Sequence, residues 1–369
     1  MALQDEIEKG SREIATDGYP MSIGEILNLY KDGELDLHPE FQRFFRWKLT
    51  QKSKLIESIL LGIPLPSVFV FQRADGVWDV IDGLQRLSTI LEFAGELKGE
   101  DGTKLPPTEL LKTRYLPSLD KKLWLSEDGV RSLTDIQRRL IKRSKIDVKI
   151  IKSDSSETSK YELFQRLNTG GSIASDQEVR NCLLIMNNKE MFEWLETLSR
   201  DPAFITCCSL TPRQLEERYD LELVLRFMVL KDLEKEQLKF EDVGDFLTER
   251  MLEIADDDAD FDVASSGVAF LSTFAALINS GLEDDSFRKF SVDKNRFLGS
   301  FSISGFEGIA IGLGSRYSLN PNATNPVDLV EIVKALWSNA KFTAYSGSGI
   351  RANLRVPHVV PLGRELLGE

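Results

Sequence analysis

Asp79-Val80-Ile81-Asp82-Gly83-Leu84-Gln85-Arg86-Leu87-Ser88-Thr89 is the stretch around which the chain reads. An apolar, strand-like run from Val77 to Ile81 stops at Asp82-Gly83. A helical run starts at Leu84 or Gln85 and carries Leu87, Ile90, Leu91 and Ala94 on one face. A glycine turn between a strand and a helix leaves backbone N–H groups open at the helix N-terminus, a natural anion site. Arg86 adds a planar charged fork suited to phosphate. Asp82 is an acid placed to hold a metal, a ribose hydroxyl or an arginine. The same residues also read as a plain strand–turn–helix joint whose Asp caps the helix.

Upstream, Val68 to Phe71 and Val77 to Ile81 flank Ala74-Asp75-Gly76, the pattern of a β-hairpin. Before them, Thr50 is placed to cap a helix from Gln51 to Leu61 with Leu55, Ile56, Ile59 and Leu60 inside, and Gly62 ends it. In the block Phe41-Gln42-Arg43-Phe44-Phe45-Arg46-Trp47, aromatics alternate with arginines, a mixture that suits nucleotide bases and phosphates, or a core with paired arginines. Ser22-Ile23-Gly24-Glu25 is a capping-box pattern opening a helix to about Lys31, with Gly33 as its stop.

Downstream, residues 96–130 lack periodicity and read as a long insertion with local helix. Thr134 caps a helix to about Lys145, whose basic residues form a solvated outer face, and Val148 to Ile151 follows as a strand. A helix from Ser156 ends at Asn168-Thr169-Gly170-Gly171, and Ser175-Asp176-Gln177-Glu178 opens another that carries Arg180 and Asn181. A capped corner does not require Arg166, Gln177, Arg180 and Asn181 as well. Beyond about residue 190 the pattern is helical. Thr211-Pro212 and Asn325-Pro326 each read as an N-cap with Pro at the first helical position. The boundary expected on these grounds divides the chain into 1–190 and 191–369.

Composition narrows the function. The chain of 369 residues is 42% hydrophobic and 28% charged, ordinary values for a globular protein long enough for two domains. Its 46 basic and 59 acidic residues give a net charge of −13, against a generic DNA-coating protein. Two histidines are too few for an HNH-type nuclease site or a His-rich metal centre, and three cysteines make no disulfide framework. No apolar run approaches the roughly 20 residues that cross a bilayer, and the N-terminus does not read as a secretory signal, so a cytoplasmic protein without membrane contact is expected.

Three blocks together carry a family resemblance. They are Phe41-Gln42-Arg43 with Trp47, Asp82 to Thr89, and Phe164-Gln165-Arg166-Leu167-Asn168-Thr169-Gly170-Gly171 with Gln177, Glu178, Arg180 and Asn181. The chain resembles the N-terminal domain of GmrSD-type, modification-dependent restriction proteins, whose signature is Asp-Gly-Gln-Gln-Arg. That resemblance implies an α+β chain: a ParB/sulfiredoxin-like N-terminal domain with a small mixed sheet, then an all-helical C-terminal domain. It implies a role in prokaryotic defence against phage and foreign DNA, with binding and hydrolysis of a nucleoside triphosphate with Mg²⁺.

Carried over, Asp82, Gln85 and Arg86 are the catalytic candidates, with Asp82 as the metal ligand. The phosphate-binding candidates are Gln42, Arg43, Gly83, Arg86, Ser88, Asn168, Gly170, Gly171, Glu178, Arg180 and Asn181. The first Gln of the signature is Leu84 here. Longer relatives append an HNH nuclease, and the lone His358 gives no expectation of one in this polypeptide. The expected partners are a nucleoside triphosphate, DNA, and a separately encoded nuclease or ATPase effector. Three functions follow: a nucleotide-binding sensor or regulatory subunit with weak or partner-stimulated NTPase activity; a metal-dependent DNA nickase using Asp82, Glu178 and Asp79; or a non-enzymatic DNA- or protein-binding adaptor.

Overall fold

The computed structural model describes residues 16–37, 47–99, 101–127, 129–152, 176–256 and 259–368. The chain divides into two units, residues 1–174 and 175–369. The first is a mixed α/β unit and the second is almost entirely helical, the α+β arrangement expected.

The first unit is built on a five-stranded sheet of β1 (Thr16–Ser22), β2 (Leu35–Asp36), β3 (Val68–Gln72), β4 (Trp78–Asp82) and β5 (Lys145–Ile151). Its order is β1-β5-β3-β4-β2. The β1–β5 and β3–β4 pairs are antiparallel, and the β3–β5 and β2–β4 pairs are parallel. The expected hairpin is β3–β4, closed over Ala74-Asp75-Gly76 with Gly76 at φ +90°. Along β5, Ile146, Val148 and Ile150 are buried while Lys145, Asp147 and Lys149 face out, the period-two pattern of a half-buried strand.

Among the described residues, four helices accompany the sheet: α1 (Ile23–Asp32), α2 (Leu49–Leu60), α3 (Leu84–Phe93) and α4 (Asp135–Arg143). The cap of α1 is as read: the Ser22 hydroxyl accepts the Glu25 N–H at 3.2 Å, and Gly33 at φ +78° ends the helix. Two boundaries move. Helix α2 starts two residues early, with Lys48 as N-cap, because the Gln51 side chain accepts the Lys48 N–H at 3.0 Å and Thr50 lies within the first turn. Helix α4 stops at Arg143, since Lys145 already pairs with Ser22 across the β1–β5 ladder. Among its described residues the insertion includes a short 3₁₀ turn, Pro117–Leu119.

The second unit contains α5 (Asp176–Asn187), α6 (Lys189–Ser199), α7 (Pro202–Cys208), α8 (Pro212–Glu216), α9 (Tyr219–Leu230), α10 (Val243–Ala255) and α11 (Val263–Asn279). A small hairpin of β6 (Lys289–Ser291) and β7 (Arg296–Leu298) follows, then α12 (Ile303–Leu319), α13 (Leu329–Leu336), α14 (Ala340–Tyr345) and α15 (Ala352–Leu367). Helix α5, placed with the first segment on sequence grounds, packs here against α6, α9 and α10. The helical run that Thr211-Pro212 opens is two helices, Pro212–Glu216 and Tyr219–Leu230. Arg218 at φ +58° breaks it, and α9 starts afresh at Tyr219. Asn325 does not cap α13; its side chain accepts the Tyr317 hydroxyl at 2.8 Å, and the helix begins after Asp328 at φ +60°. No helix among the described residues is long and apolar enough to cross a membrane.

Candidate functional site

Strand β4 ends at Asp82, and Gly83 turns the chain into α3 with φ +93° and ψ 9°. A side chain is excluded there twice over. The conformation is left-handed, and a Cβ would lie 2.8 Å from Val68 Cγ2. The Leu87 N–H then donates to the Gly83 carbonyl at 2.9 Å, closing the first helical turn. The N–H groups of Leu84, Gln85 and Arg86 donate to no acceptor among the described residues. They are the open donors that a helix N-terminus offers an anion.

The side chains of the turn divide sharply. Leu84 is only 7% exposed and joins Leu87, Ile90 and Leu91 in the core. The position that holds Gln in the family signature thus faces inward in this chain. Arg86 turns back on the fold. One guanidinium nitrogen donates to the carbonyls of Ser67 (3.0 Å) and Pro66, and another donates to Asp82 Oδ2 at 2.9 Å. Asp82, with a third of its side chain exposed, accepts no other hydrogen bond among the described residues. The Ser88 hydroxyl, one turn along α3, is buried without a partner among the described residues.

Gln85 reaches sideways, its Oε1 accepting the Trp47 N–H at 2.9 Å. Lys52 pairs with Glu92. The two contacts run in the same sense along both segments, 47 to 85 and 52 to 92. The chain therefore enters α2 beside the end of α3 that carries the Asp82 turn. This brings the exposed Lys48, which has no ion pair among the described residues, to the same end. The sequence reading named Trp47 and passed over Lys48. Its signal was a basic residue directly before a helix start, which alone is too common to select.

Asp79, the further acid considered as a metal ligand, belongs to a different cluster. Arg73 donates from Nε to Asp79 Oδ2 at 2.8 Å and from Nη2 to Asp36 Oδ2 at 2.9 Å, with a second contact to Asp79 Oδ1. Asp36 and Asp79 are register partners on β2 and β4, so one guanidinium bridges both. Burial works against the charge of Arg73, and the two carboxylates outweigh it and hold the guanidinium protonated. No group of three or more His, Cys, Asp or Glu side chains suited to a metal occurs among the described residues. A cavity of about 300 Å³ in this unit lies elsewhere, lined by Ser22, Glu25, Asn28, Lys31, Trp124 and Lys142, and no motif residue borders it.

Gln42, Arg43, Asn168, Gly170, Gly171 and the Glu178 side chain lie outside the described residues. Arg180 and Asn181 are buried in the helical unit. Arg180 donates to Gln177 Oε1 (2.8 Å), the Gly244 carbonyl (3.3 Å) and Glu222 Oε2 (2.9 Å). Asn181 accepts from Gln177 at 2.9 Å. Glu222 also takes Arg226 at 2.8 Å, Arg226 takes Glu307 at 3.0 Å, and Glu307 takes Arg355 at 2.6 Å. Burial acts to raise the Glu222 carboxyl, but the Arg226 and Arg180 charges outweigh it and hold the group below the usual glutamate range.

Comparison with protein families places part of this chain among restriction-type, defence-related proteins. Residues 23–185 match the GmrSD restriction endonuclease, N-terminal domain, and the chain carries a domain of that family. The matched segment takes in strands β2 to β5, the Asp82 turn and most of α5, and begins directly after β1. No curated protein and no solved structure matches the chain.

Proposed function

We propose that the chain is a nucleotide-binding sensor or regulatory subunit of a prokaryotic restriction-type defence system, working in the cytoplasm with a separately encoded effector. The observation that carries this reading is the Asp82 turn itself. A left-handed glycine holds three N–H groups, unpaired among the described residues, beside a half-open carboxylate, and Lys48 lies at the same end of α3. In this reading the N–H groups of Leu84 to Arg86 and the Lys48 ammonium take the phosphates. The open oxygen of Asp82 fits one ligand of a phosphate-bound Mg²⁺, an ion commonly held by one or two carboxylates plus phosphate oxygens. When bound, Mg²⁺ would neutralise phosphate charge. Arg86 acts as the brace of the turn.

Turnover is weak or partner-stimulated in this reading, because the Gln85 side chain is committed to the Trp47 N–H and Leu84 to the core. Neither is free to orient water. The same commitments favour a second reading, a non-enzymatic adaptor whose turn is structural. Calorimetry with each nucleoside triphosphate and Mg²⁺ separates the two. Binding by the wild type, weakened about tenfold or more in Lys48→Ala and Asp82→Asn, is expected; one charged contact accounts for roughly 1.5–3 kcal/mol. A wild type that binds no nucleotide selects the adaptor.

A further inference from the structure

Two neighbouring helices of the second unit contain no charged residue at all. Helix α7 reads Pro-Ala-Phe-Ile-Thr-Cys-Cys, and the 17 residues of α11 hold none either. They are locked together from beneath, with the Phe204 ring 5.4 Å from Phe270 and 5.1 Å from Phe274. Yet their outer faces are open. Ile205, Val263, Val268 and Leu271 are 40–54% exposed. Along α11 the exposed stripe is Ala264, Val268, Leu271 and Ala275, a spacing of four, three and four residues. That is the seam spacing with which one helix receives another. The stripe spans roughly 16 Å, at about 1.5 Å per residue.

The surroundings define what such a helix must carry. Residues 175–369 hold 20 Lys and Arg against 32 Asp and Glu, whereas residues 1–174 hold 26 against 27. Asp260 stands before the N-terminal end of the stripe, and Glu283 stands beyond its C-terminal end, next to Asp284, which pairs with Arg288 at 2.8 Å. A second copy of this chain would bring the same excess of negative charge to the face and be repelled. We infer that the α7–α11 face is a docking surface for an amphipathic helix of a protein partner, with apolar residues at three- and four-residue spacing and Lys or Arg at both ends. The apolar stripe supplies contact area, and the carboxylates at its ends select and orient the partner by charge. This surface lies outside the segment that matches the restriction domain and does not depend on the nucleotide reading.

The test uses the full chain and two labelled synthetic helices of about 18 residues, with leucines at the stripe spacing. One carries lysines at both ends, the other glutamates. Fluorescence anisotropy is expected to show the lysine peptide binding at least about tenfold more tightly than the glutamate peptide, with an affinity that falls as salt rises. Val268→Glu and Leu271→Glu, both exposed, are expected to weaken it about tenfold or more while the circular dichroism melt stays unchanged. Asp260→Asn with Glu283→Gln gives an independent arm, expected to narrow the gap between the two peptides. Equal binding of both peptides, or binding indifferent to Val268→Glu and Leu271→Glu, overturns the inference. So does sedimentation showing that the wild type pairs with itself and Leu271→Glu does not, because the face then belongs to a second copy.

Discussion

The Asp82 turn and the charge chain of the helical unit draw on the same residue types and use them in opposite ways. In the chain, Arg180, Glu222, Arg226, Glu307 and Arg355 alternate in sign across α5, α9, α12 and α15. Each carboxylate lies between two guanidinium groups, and Glu307 is fully buried. In the turn, a single Asp82–Arg86 pair sits half open beside three N–H groups that have no acceptor among the described residues. Charge belongs to the scaffold where every donor and acceptor is matched, and to a site where donors are left over. The strongest way to break that contrast is Arg226→Ala, which leaves Glu307 and Glu222 short of a partner in the interior. The expected loss is about 3–5 kcal/mol, read from urea unfolding followed by helical circular dichroism. A loss under about 1 kcal/mol would mean that the chain is not structural.

The turn responds to a smaller change. Gly83→Ala forces an unfavourable left-handed residue and sets a Cβ against Val68. A cost of about 1–3 kcal/mol is expected, together with weaker nucleotide binding, because the three N–H groups are aimed by this residue. Gly33→Ala is the control. It has φ +78° but open space around it, so only the conformational cost of about 1 kcal/mol applies. Equal losses at the two glycines would show that packing against Val68 adds nothing. Arg86→Ala comes next, at about 1–2 kcal/mol, from the lost charged hydrogen bonds to the Pro66 and Ser67 carbonyls and to Asp82. If Arg86 is a brace, the melt shifts and nucleotide affinity changes less than in Lys48→Ala. The reverse order would make Arg86 a phosphate ligand.

Much of the first unit was legible because its signals are local. The Ala74-Asp75-Gly76 turn, the Ser22 cap and the Gly33 stop each lie within four residues of what they control, and each is where the sequence puts it. The Gly83 turn was legible for the same reason. What was not legible depends on distant partners. Nothing near Arg180 announces Glu222, 42 residues away, or shows that Arg180 is spent inside the helical unit. Nothing in Gln85 names the Trp47 N–H. Thr50 failed as a cap because Gln51 satisfies Lys48 instead, a competition between two good residues one position apart. The break at Arg218 was missed because a left-handed arginine has no composition signature.

The smallest expected effect tests how the insertion is fastened to the turn's neighbour, α2. The Glu57 carboxylate takes the Thr113 hydroxyl and the N–H groups of Tyr115 and Leu116, at 2.9 and 3.1 Å for the two amides. These hydrogen bonds, the hydroxyl first, hold its carboxyl below the ordinary glutamate value against the opposing effect of burial. A depressed carboxyl stabilises the fold fully above the unfolded-state value. That contribution fades as pH falls from the ordinary glutamate value toward the lower folded one, because the unfolded chain takes up the proton first. Hydrogen exchange at Tyr115 and Leu116 should therefore quicken, relative to the β-sheet amides, as pH is lowered through that window after correction for intrinsic exchange. Glu57→Gln should remove most of this pH dependence, since its amide oxygen can still accept but carries no titrating proton. The Asp82–Arg86 pair offers no such anchor to the insertion, so the same substitution should leave nucleotide binding unchanged. A loss of binding in Glu57→Gln would show instead that the insertion and the turn act as one element.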